Sequence, residues 1–234
     1  MRTIILGAIL LCSVTSFSQK PDSIKVENLE KIYRATATKI NDLVHTKLEA
    51  SFDYSQSWMY GKARITLHPH FYATDSLTLD AKGMTISEVS LIKSRKYIPL
   101  KYTYDSRKLR ITLDRNYYGG ENYTVFINYI SKPEEIRENG STSPPAEKGL
   151  FFINPLGTIK NKPTQIWTQG ESESNSYWFP TIDKPNQKTT DEISMTVPAK
   201  YQTLSNGLLV SQKKNMDGTR TDTWKMDLPH SPYS

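Results

Sequence analysis

Residues 46–52 (TKLEASF) and 63–67 (ARITL) decide the fold class. In the first stretch Leu48, Ala50 and Phe52 alternate with polar residues, and the second stretch has the same period of two. Successive side chains of an extended strand point to opposite faces, so this alternation is typical of a strand with one buried face. Both stretches therefore predict half-buried β-strands.

Strand patterns of this kind continue along the chain. Further strands are predicted at residues 77–80, 84–92, 97–104, 109–113, 123–130, 149–153, 164–168, 192–197, 203–210 and 220–226. Turn residues separate them, and residues 132–148, which are rich in proline and charge, predict a long exposed loop. Short strands at this spacing are typical of an antiparallel sandwich or curved sheet. We therefore expect an all-β fold, with residues 46–234 forming a single domain.

The N-terminus has the pattern of a secretory signal peptide. A basic start at Arg2 precedes an apolar run at residues 4–14, and small residues follow at the cleavage positions. The run is shorter than the ~20 residues that a membrane-spanning helix needs. A buried N-terminal strand or helix is the alternative interpretation. We expect residues 1–18 to be removed on export, residues 19–45 to form a polar segment, and the mature protein to be periplasmic or secreted without a membrane span.

Charge and residue usage exclude several classes of function. The chain has 30 Lys and Arg against 24 Asp and Glu, but the basic residues are scattered among acids, which argues against a nucleic-acid surface. The single cysteine, Cys12, lies in the expected signal peptide, so the mature chain has no disulfide and no thiolate nucleophile. No His-Glu-x-x-His, Gly-x-Ser-x-Gly or phosphate-loop string is present. His68 and His70 could lie on one side of a strand, but no third ligand is near them in sequence. We therefore predict no metal site and no catalytic residue in this chain.

The densest group of functional residue types lies in residues 166–173 (IWTQGESE) and 177–188 (YWFPTIDKPNQK). In an extended segment Gln169, Glu171 and Glu173 would share one face, at intervals of about 6.6 Å. One amide and two carboxylates in a row can bind an ammonium group, which offers three hydrogen-bond donors. Solvated acids on an edge strand or loop are the alternative, and spacing alone favours that alternative.

Three ordered motifs give this region a resemblance to a known family. Residues 168–171 (TQGE) are followed by residues 178–188 (WFPTIDKPNQK) and then by residues 204–207 (LSNG). Together they resemble the N-terminal domain of the aminopeptidase N-like zinc metallopeptidases (gluzincin aminopeptidases) of the secreted bacterial type. In that family Thr-Gln-x-Glu, Phe-x-Asp-x-Pro-x-x-Lys and Ser-Asn strings occur in this order. The likeness extends from about Leu48 to the last residue.

The resemblance implies a shape, a partner and a role. The family's N-terminal domain is a curved, saddle-like β-sheet structure that packs on a thermolysin-like catalytic domain holding the zinc ion. By match, Glu171 would bind the free α-amino group of a peptide substrate, with Gln169 beside it, and this contact would restrict the enzyme to N-terminal residues. Gly170 and Ser172 depart from the residues frequent in the family, and glycine at 170 predicts a looser local backbone. The position matched by Asp183 is structural in the family.

We therefore expect an exported N-terminal substrate-binding domain of a zinc-dependent aminopeptidase. It would have no cofactor of its own, and the zinc would sit on a catalytic domain downstream of Ser234 that this chain lacks. Alone, the chain is expected to hydrolyse nothing, since no group in it activates water as a zinc ion does. One alternative is a free-standing exported β-sandwich module that binds peptide or glycan, with Trp167 and Trp178 lining an open groove instead of supporting the Glu171 segment. Another is an independent hydrolase that uses Glu171 and Glu173.

Overall fold

The structure, a computed structural model, describes residues 38–137, 141, 143 and 145–233. The signal peptide expected at residues 1–18, and the expected polar segment as far as residue 37, lie outside the described residues. All strands belong to one structural unit, Lys39–Ser234.

Strands build almost all of the regular structure. The helical element among the described residues is a single 3₁₀ turn, Asn175–Tyr177, and no helix there is long and apolar enough to cross a membrane. The all-β class predicted from the sequence is confirmed. The strands are β1 (Asn41–Asp53), β2 (Trp58–Pro69), β3 (Thr74–Asp80), β4 (Met84–Lys93), β5 (Lys96–Pro99), β6 (Lys101–Tyr104), β7 (Lys108–Tyr117), β8 (Tyr123–Ser131), β9 (Leu150–Ile153), β10 (Gln165–Thr168), β11 (Thr189–Pro198), β12 (Leu208–Lys214) and β13 (Thr219–His230).

The strands form three sheets. An eight-stranded sheet has the order β12-β13-β11-β1-β2-β8-β4-β5, a three-stranded sheet has the order β3-β7-β6, and β9 pairs with β10. β1 and β11 run parallel, with Leu48 opposite Ile193, whereas the other described strand pairs are antiparallel. The large sheet is therefore mixed, and in this one pair it departs from the antiparallel arrangement that the strand spacing predicted. A parallel pair needs a long crossover, and here the whole chain from β2 to β10 supplies it.

Alternation along the central strands places one face of the large sheet in the core. Ala63, Ile65 and Leu67 of β2 are fully buried, as the period of two predicted. Val125 and Ile127 of β8 join them in one hydrophobic cluster with the inner residues of β3 and β7. Burying one such aliphatic side chain stabilises a fold by about 1.5–3 kcal/mol. Packing between the two sheets therefore supplies much of the stability of this domain.

One predicted strand is divided between these two sheets. The pattern at residues 97–104 predicted a single strand, but β5 ends at Pro99 in the large sheet and β6 begins at Lys101 in the three-stranded sheet. Pro99 has no N–H with which to continue a ladder. The Leu100 N–H donates to the Val89 carbonyl at 2.9 Å. The chain crosses from one sheet to the other at this point.

The connection from β8 to β9 is the long loop that its composition predicted. Residues 132–148 contain no strand among those that the structure describes. The side chain of Lys148 pairs with Glu134 and joins the two ends of the loop.

Gly61 of β2 lies directly opposite Tyr129 of β8. A substitution of this glycine tests how closely the two strands pack in the core. A β-carbon at position 61 would lie 2.2–2.7 Å from atoms of the Tyr129 side chain, which is buried. Gly61→Ala should therefore displace the ring and lower the free energy of unfolding by about 1–3 kcal/mol. Urea denaturation measures the change. Gly119→Ala is the matched control, because the nearest atom to its β-carbon would be 3.5 Å away, and an equal loss in both variants would contradict the contact.

Candidate functional site

The segment that carries Gln169 and Glu171 follows the β9–β10 hairpin. β10 ends at Thr168, the Gln169 N–H donates to the Gly149 carbonyl at 2.9 Å, and the chain then turns at Glu171. The peptide bond from Glu171 to Ser172 is cis. The side chains of Gln169 and Glu171 are both exposed. The segment is thus a turn, and not the extended strand that would align three polar side chains in a row.

The two carboxylates of this turn have different surroundings. Lys184 Nζ donates to a carboxylate oxygen of Glu173 at 2.6 Å, which raises the pKa of the lysine, and Lys82 Nζ donates to the Glu173 carbonyl at 2.8 Å. Among the described residues, no group hydrogen bonds or forms an ion pair with the Glu171 carboxylate. Lys184 thus neutralises Glu173, while the charge of Glu171 is available to a ligand. This asymmetry argues against an acid–base pair made of the two.

The motif after the turn braces it against the sandwich. Asp183 is 2% exposed, its Oδ2 accepts the Ser176 N–H at 2.8 Å, and burial raises its pKa. Thr181 forms a β-bridge with Asp80 at the end of β3, with N–H···O distances of 2.7 and 3.0 Å. Asp183 therefore occupies a structural position, as the resemblance implied.

Gly170 is held closely, although glycine alone predicted a looser backbone. Its carbonyl accepts the Ser174 N–H at 2.9 Å, and a β-carbon at position 170 would lie 2.6–2.9 Å from the side-chain amide of Asn175. Asn175 is 4% exposed, and its Oδ1 accepts the Trp178 Nε1–H at 3.0 Å. Sequence reasoning missed Asn175, because an asparagine within a polar string carries no signal of burial.

Two adjoining cavities lie beside the turn. The first, of about 490 Å³, is lined by Thr168, Gly170 and part of β11. The second, of about 620 Å³, is lined by the whole of β10 and by residues 201–205. Trp178 and Leu204 line both cavities, so the two are neighbours, and together they are called the cleft below.

The end of the cleft near β13 is polar. His230 Nε2 lies 2.6 Å from Asp191 Oδ2, and His230 Nδ1 lies 2.8 Å from the Ser231 carbonyl. These contacts join His230 to Asp191 across 39 positions of the sequence, and Asp191 was not singled out there.

The far wall of the cleft is a loop where the sequence pattern predicted a strand. The strand predicted at residues 203–210 was wrong in its first half, because β12 begins only at Leu208. Gly207, directly before it, has a φ of +81°. Thr203 Oγ1 donates to Asp222 Oδ2 at 2.6 Å. This bond fixes the loop to β13 by a side chain instead of a backbone ladder.

Asp222 anchors this wall through its charge. Its carboxylate is 1% exposed and accepts hydrogen bonds from Arg220 Nε at 2.8 Å and Nη2 at 2.9 Å, besides that from Thr203. Burial raises its pKa, but the hydrogen bonds from Arg220, Thr203 and Gln212 together outweigh burial, so the pKa is lowered. Because the folded-state pKa lies below the unfolded value, the stabilisation is complete above the unfolded value of about 3.9 and is lost as pH falls through the folded one.

We therefore expect Asp222→Asn to lower the melting temperature by several degrees at about pH 7, and the deficit to shrink as pH falls below the unfolded value of about 3.9 and through the lower folded one. Circular dichroism melts across this range measure the difference. Asp227→Asn is the control, because that carboxylate is 73% exposed and pairs with Lys225 at the surface. A deficit for Asp222→Asn that did not change with pH would show that the charge has no such role.

The histidines considered as metal ligands have other partners. His70 Nδ1 pairs with Asp42 Oδ2 at 2.5 Å, and His68 Nδ1 lies 2.9 Å from the Pro69 carbonyl. Over the described ranges, no group of three or more His, Cys, Asp or Glu side chains is placed to hold a metal ion. Those residues therefore do not fit a zinc site.

The two tryptophans of this region have different roles. Trp178 is half-buried and supports the turn through its bond to Asn175. Trp167 is 44% exposed and stacks on Phe151, with ring centroids 4.5 Å apart and planes at 13°. Both line the cleft. The position of Trp178 agrees with the aminopeptidase interpretation, in which it supports the Glu171 segment. The position of Trp167 agrees with the alternative, in which it lines an open binding groove.

Fold and site together define a class of protein: an all-β domain that presents an exposed carboxylate on a braced turn beside a cleft. Residues 42–234 match the Peptidase M1 N-terminal domain. Because this match covers most of the chain, the chain belongs to the Peptidase M1 N-terminal domain family. The resemblance drawn from the three motifs is confirmed.

Solved structures of similar fold include two M1 zinc metallopeptidases and an aminopeptidase. An M1 zinc metallopeptidase from Deinococcus radiodurans, solved with a Tyr-Ser-Ala substrate, is 20% identical with a TM-score of 0.67, over 82% of this chain and 40% of that one. A two-domain M1 zinc metallopeptidase bound to L-tryptophan is 20% identical with a TM-score of 0.69, over 86% and 43%. Aminopeptidase A from Legionella pneumophila, in complex with aspartic acid, is 20% identical with a TM-score of 0.65, over 85% and 21%.

These similarities show a shared fold. This chain spans about two fifths of the first two proteins and about a fifth of the third. A search of curated protein sequences found no significant match.

Proposed function

We propose that this chain is the N-terminal substrate-binding domain of an exported zinc-dependent aminopeptidase, and that Glu171 binds the α-amino group of the peptide substrate. The family match over residues 42–234 carries the proposal. The solved M1 zinc metallopeptidases support it, since more than half of each of those chains lies outside the part that this chain covers. The catalytic domain and its zinc belong to that remaining part.

The charge of Glu171 suits this role. Its carboxylate is exposed and lacks a partner among the described residues, whereas the neighbouring Glu173 is paired with Lys184. An α-ammonium group that reaches Glu171 therefore gains a charge-assisted hydrogen bond without displacing another cation. The exposed amide of Gln169 offers a second acceptor to the same group. An acetylated N-terminus carries no charge and gains neither advantage.

The residues of this chain suit substrate binding, and the chemical step is assigned to the catalytic domain. Zinc, when bound in the catalytic domain, supplies the activation of water. This chain holds the N-terminus of the peptide, orients the first peptide bond and helps to exclude water. Positioning of this kind can supply a large part of a rate enhancement without any catalytic group.

An exposed apolar surface borders the cleft and is proposed to face the catalytic domain. Leu204 is 84% exposed, Leu208 74% and Leu228 71%, and all three belong to β12, β13 or the loop before β12. Apolar side chains grouped in this way mark an interaction surface more often than a solvated one. The exposed Trp167 lines the same cavity as Leu204 and is proposed to belong to this surface.

Export is proposed from the sequence of residues 1–18, which has the order of a signal peptide. N-terminal sequencing of the protein from the exported fraction tests it, with a mature N-terminus near residue 19 as the expected result.

A free-standing module that binds peptide or glycan is the second candidate. The exposed, stacked ring of Trp167 in the cleft favours it, since an accessible aromatic face can stack on a ligand ring. In that case Trp167→Ala would abolish binding by this chain alone, and Glu171→Gln would leave it unchanged.

Glu171→Gln tests the proposed function in the protein that carries this domain together with the zinc domain. We expect kcat/KM for an aminoacyl p-nitroanilide to fall about 10- to 100-fold, because a neutral amide loses the charge-assisted hydrogen bond to the ammonium group. Steady-state kinetics measure the loss.

The matched control for this experiment is Glu173→Gln. Its carboxylate bonds to Lys184, so the variant should keep kcat/KM within about twofold. Equal losses in both variants, or wild-type activity in Glu171→Gln, would exclude the proposed role of Glu171.

The proposed docking surface predicts the behaviour of this chain on its own. We expect concentration-dependent self-association in analytical ultracentrifugation, because large apolar side chains stay in water when no second domain covers them. Replacing Leu204 and Leu208 together by Ser should reduce it strongly. Tyr118→Ser, at a residue that is 62% exposed on the β7–β8 connection, should not. A wild-type chain that stays monomeric at high concentration would contradict the surface.

A further inference from the structure

We propose that Asn175 is the positioning residue for Glu171: its buried amide holds the backbone of Gly170 and thereby sets where the Glu171 carboxylate stands. This proposal rests on the proposed function of Glu171 and adds to it a residue that the sequence motifs do not mark. It concerns the 3₁₀ turn Asn175–Tyr177, which follows the Glu171 turn directly.

Asn175 makes a different contact in each of three directions. Its Oδ1 accepts the Trp178 Nε1–H at 3.0 Å, its Nδ2 donates to the Pro232 carbonyl, and its amide plane lies against Gly170. The indole can only donate and the proline carbonyl can only accept, so these partners define the orientation of the amide. Aspartate lacks the donor that Pro232 needs, and leucine lacks both groups. Asparagine is therefore specifically suited to this position.

Glu171 depends on its backbone for position because its side chain has no partner in the part of the chain that the structure describes. Among the described residues nothing bonds to its carboxylate, so no salt bridge or hydrogen bond orients it before a ligand arrives. The residue before it is Gly170, whose carbonyl accepts the Ser174 N–H and whose Cα faces Asn175 at close range. A shift of about 1 Å in a positioning group can cost roughly 100-fold in rate. Displacing Asn175 should therefore misplace Glu171 without removing its charge.

Gly170 provides a second, independent way to disturb the same contact. A β-carbon there would lie 2.6 Å from Asn175 Nδ2, 2.7 Å from Oδ1 and 2.9 Å from Cγ. The backbone of Gly170 is outside the left-handed region, so alanine is strained only by this overlap. All three atoms that it meets are absent from alanine at position 175. The penalty of Gly170→Ala should therefore disappear in an Asn175→Ala background.

The experiment is a double-mutant cycle in the protein that carries both domains. Gly170→Ala and Asn175→Ala should each lower kcat/KM for an aminoacyl p-nitroanilide about 10- to 100-fold. The double variant should lose no more than Asn175→Ala alone, within about twofold. Additive losses would overturn the proposal, and so would wild-type activity in both single variants.

A second cycle links the contact to Glu171. In a Glu171→Gln background, adding Asn175→Ala or Gly170→Ala should change kcat/KM less than about twofold, because the charge that they position is already gone. If Glu171→Gln alone has no effect, the proposed function fails. If it has its expected effect but the losses at Asn175 and Gly170 persist unchanged beside it, only the positioning role fails.

Folding defects are separated from mispositioning by a variant elsewhere in the core. Gly61→Ala is expected to destabilise the sandwich but to keep kcat/KM within about twofold at temperatures below its melting transition. A Gly61→Ala variant that loses activity as Gly170→Ala does would show that general destabilisation explains both, and the proposal would be overturned. If Asn175→Ala does not fold, Asn175→Ser takes its place: it removes the two nearest atoms, Nδ2 and Oδ1, and keeps only an Oγ near the position of Cγ, so the penalty of Gly170→Ala should be reduced in that background.

Discussion

The parallel pairing of β1 with β11 is the constraint on which the rest of the structure depends. Leu48 lies opposite Ile193 in this pair, although the whole chain from β2 to β10 separates them. Gln187 secures the entry to β11, because its Oε1 accepts the Leu43 N–H at 2.9 Å and its Nε2 donates to the Asn41 carbonyl at 3.1 Å. Closing so long a loop costs conformational entropy, which buried side-chain bonds and the adjoining ladder offset.

The candidate site exists because that pairing brings three distant segments together. β11 lines the cleft beside the β9–β10 hairpin, and β13 lies next to β11 in the sheet. The chain that follows β13 returns to the Glu171 turn, where the Pro232 carbonyl accepts a hydrogen bond from the side-chain amide of Asn175. A ligand at the turn would therefore contact a surface that the first and last strands of the sheet hold in place. The position of the Glu171 turn therefore depends on the contact between Asn175 and the chain that follows β13.

Electrostatics near the turn follow one pattern. Acids that hold the fold have cationic or backbone partners: Glu173 has Lys184, Asp222 has Arg220, and Asp183 has the Ser176 N–H. Glu171 is a contrast, since its charge is left to the solvent side of a braced backbone. An exposed carboxylate with no partner among residues 38–137 and 145–233, on a turn that the neighbouring residues brace, keeps its attraction for an incoming cation. That is the property a site for an α-ammonium group needs.

Much of the fold was predictable because the period of two reports directly which residues face the core. The strands around Ile65, Ile111 and Ile127 were predicted within a few residues, and so was the long loop before β9. The two failures, at residues 97–104 and 203–210, have a common reason. A local pattern cannot show that a chain changes sheets at a proline, or that Thr203 is fixed to Asp222 by a side chain.

The amino-acid sequence by itself determined the all-β class, the family and the prediction that Gln169 and Glu171 form the site, because these depend on local period and motif order. Only the tertiary structure decided the parallel strand pair, the pairing of Glu173 with Lys184 and the burial of Asn175 against Gly170. Each of these depends on a partner at a distance along the chain or on the path of the backbone in a turn. Such contacts arise from packing in three dimensions and leave no periodic trace in the sequence.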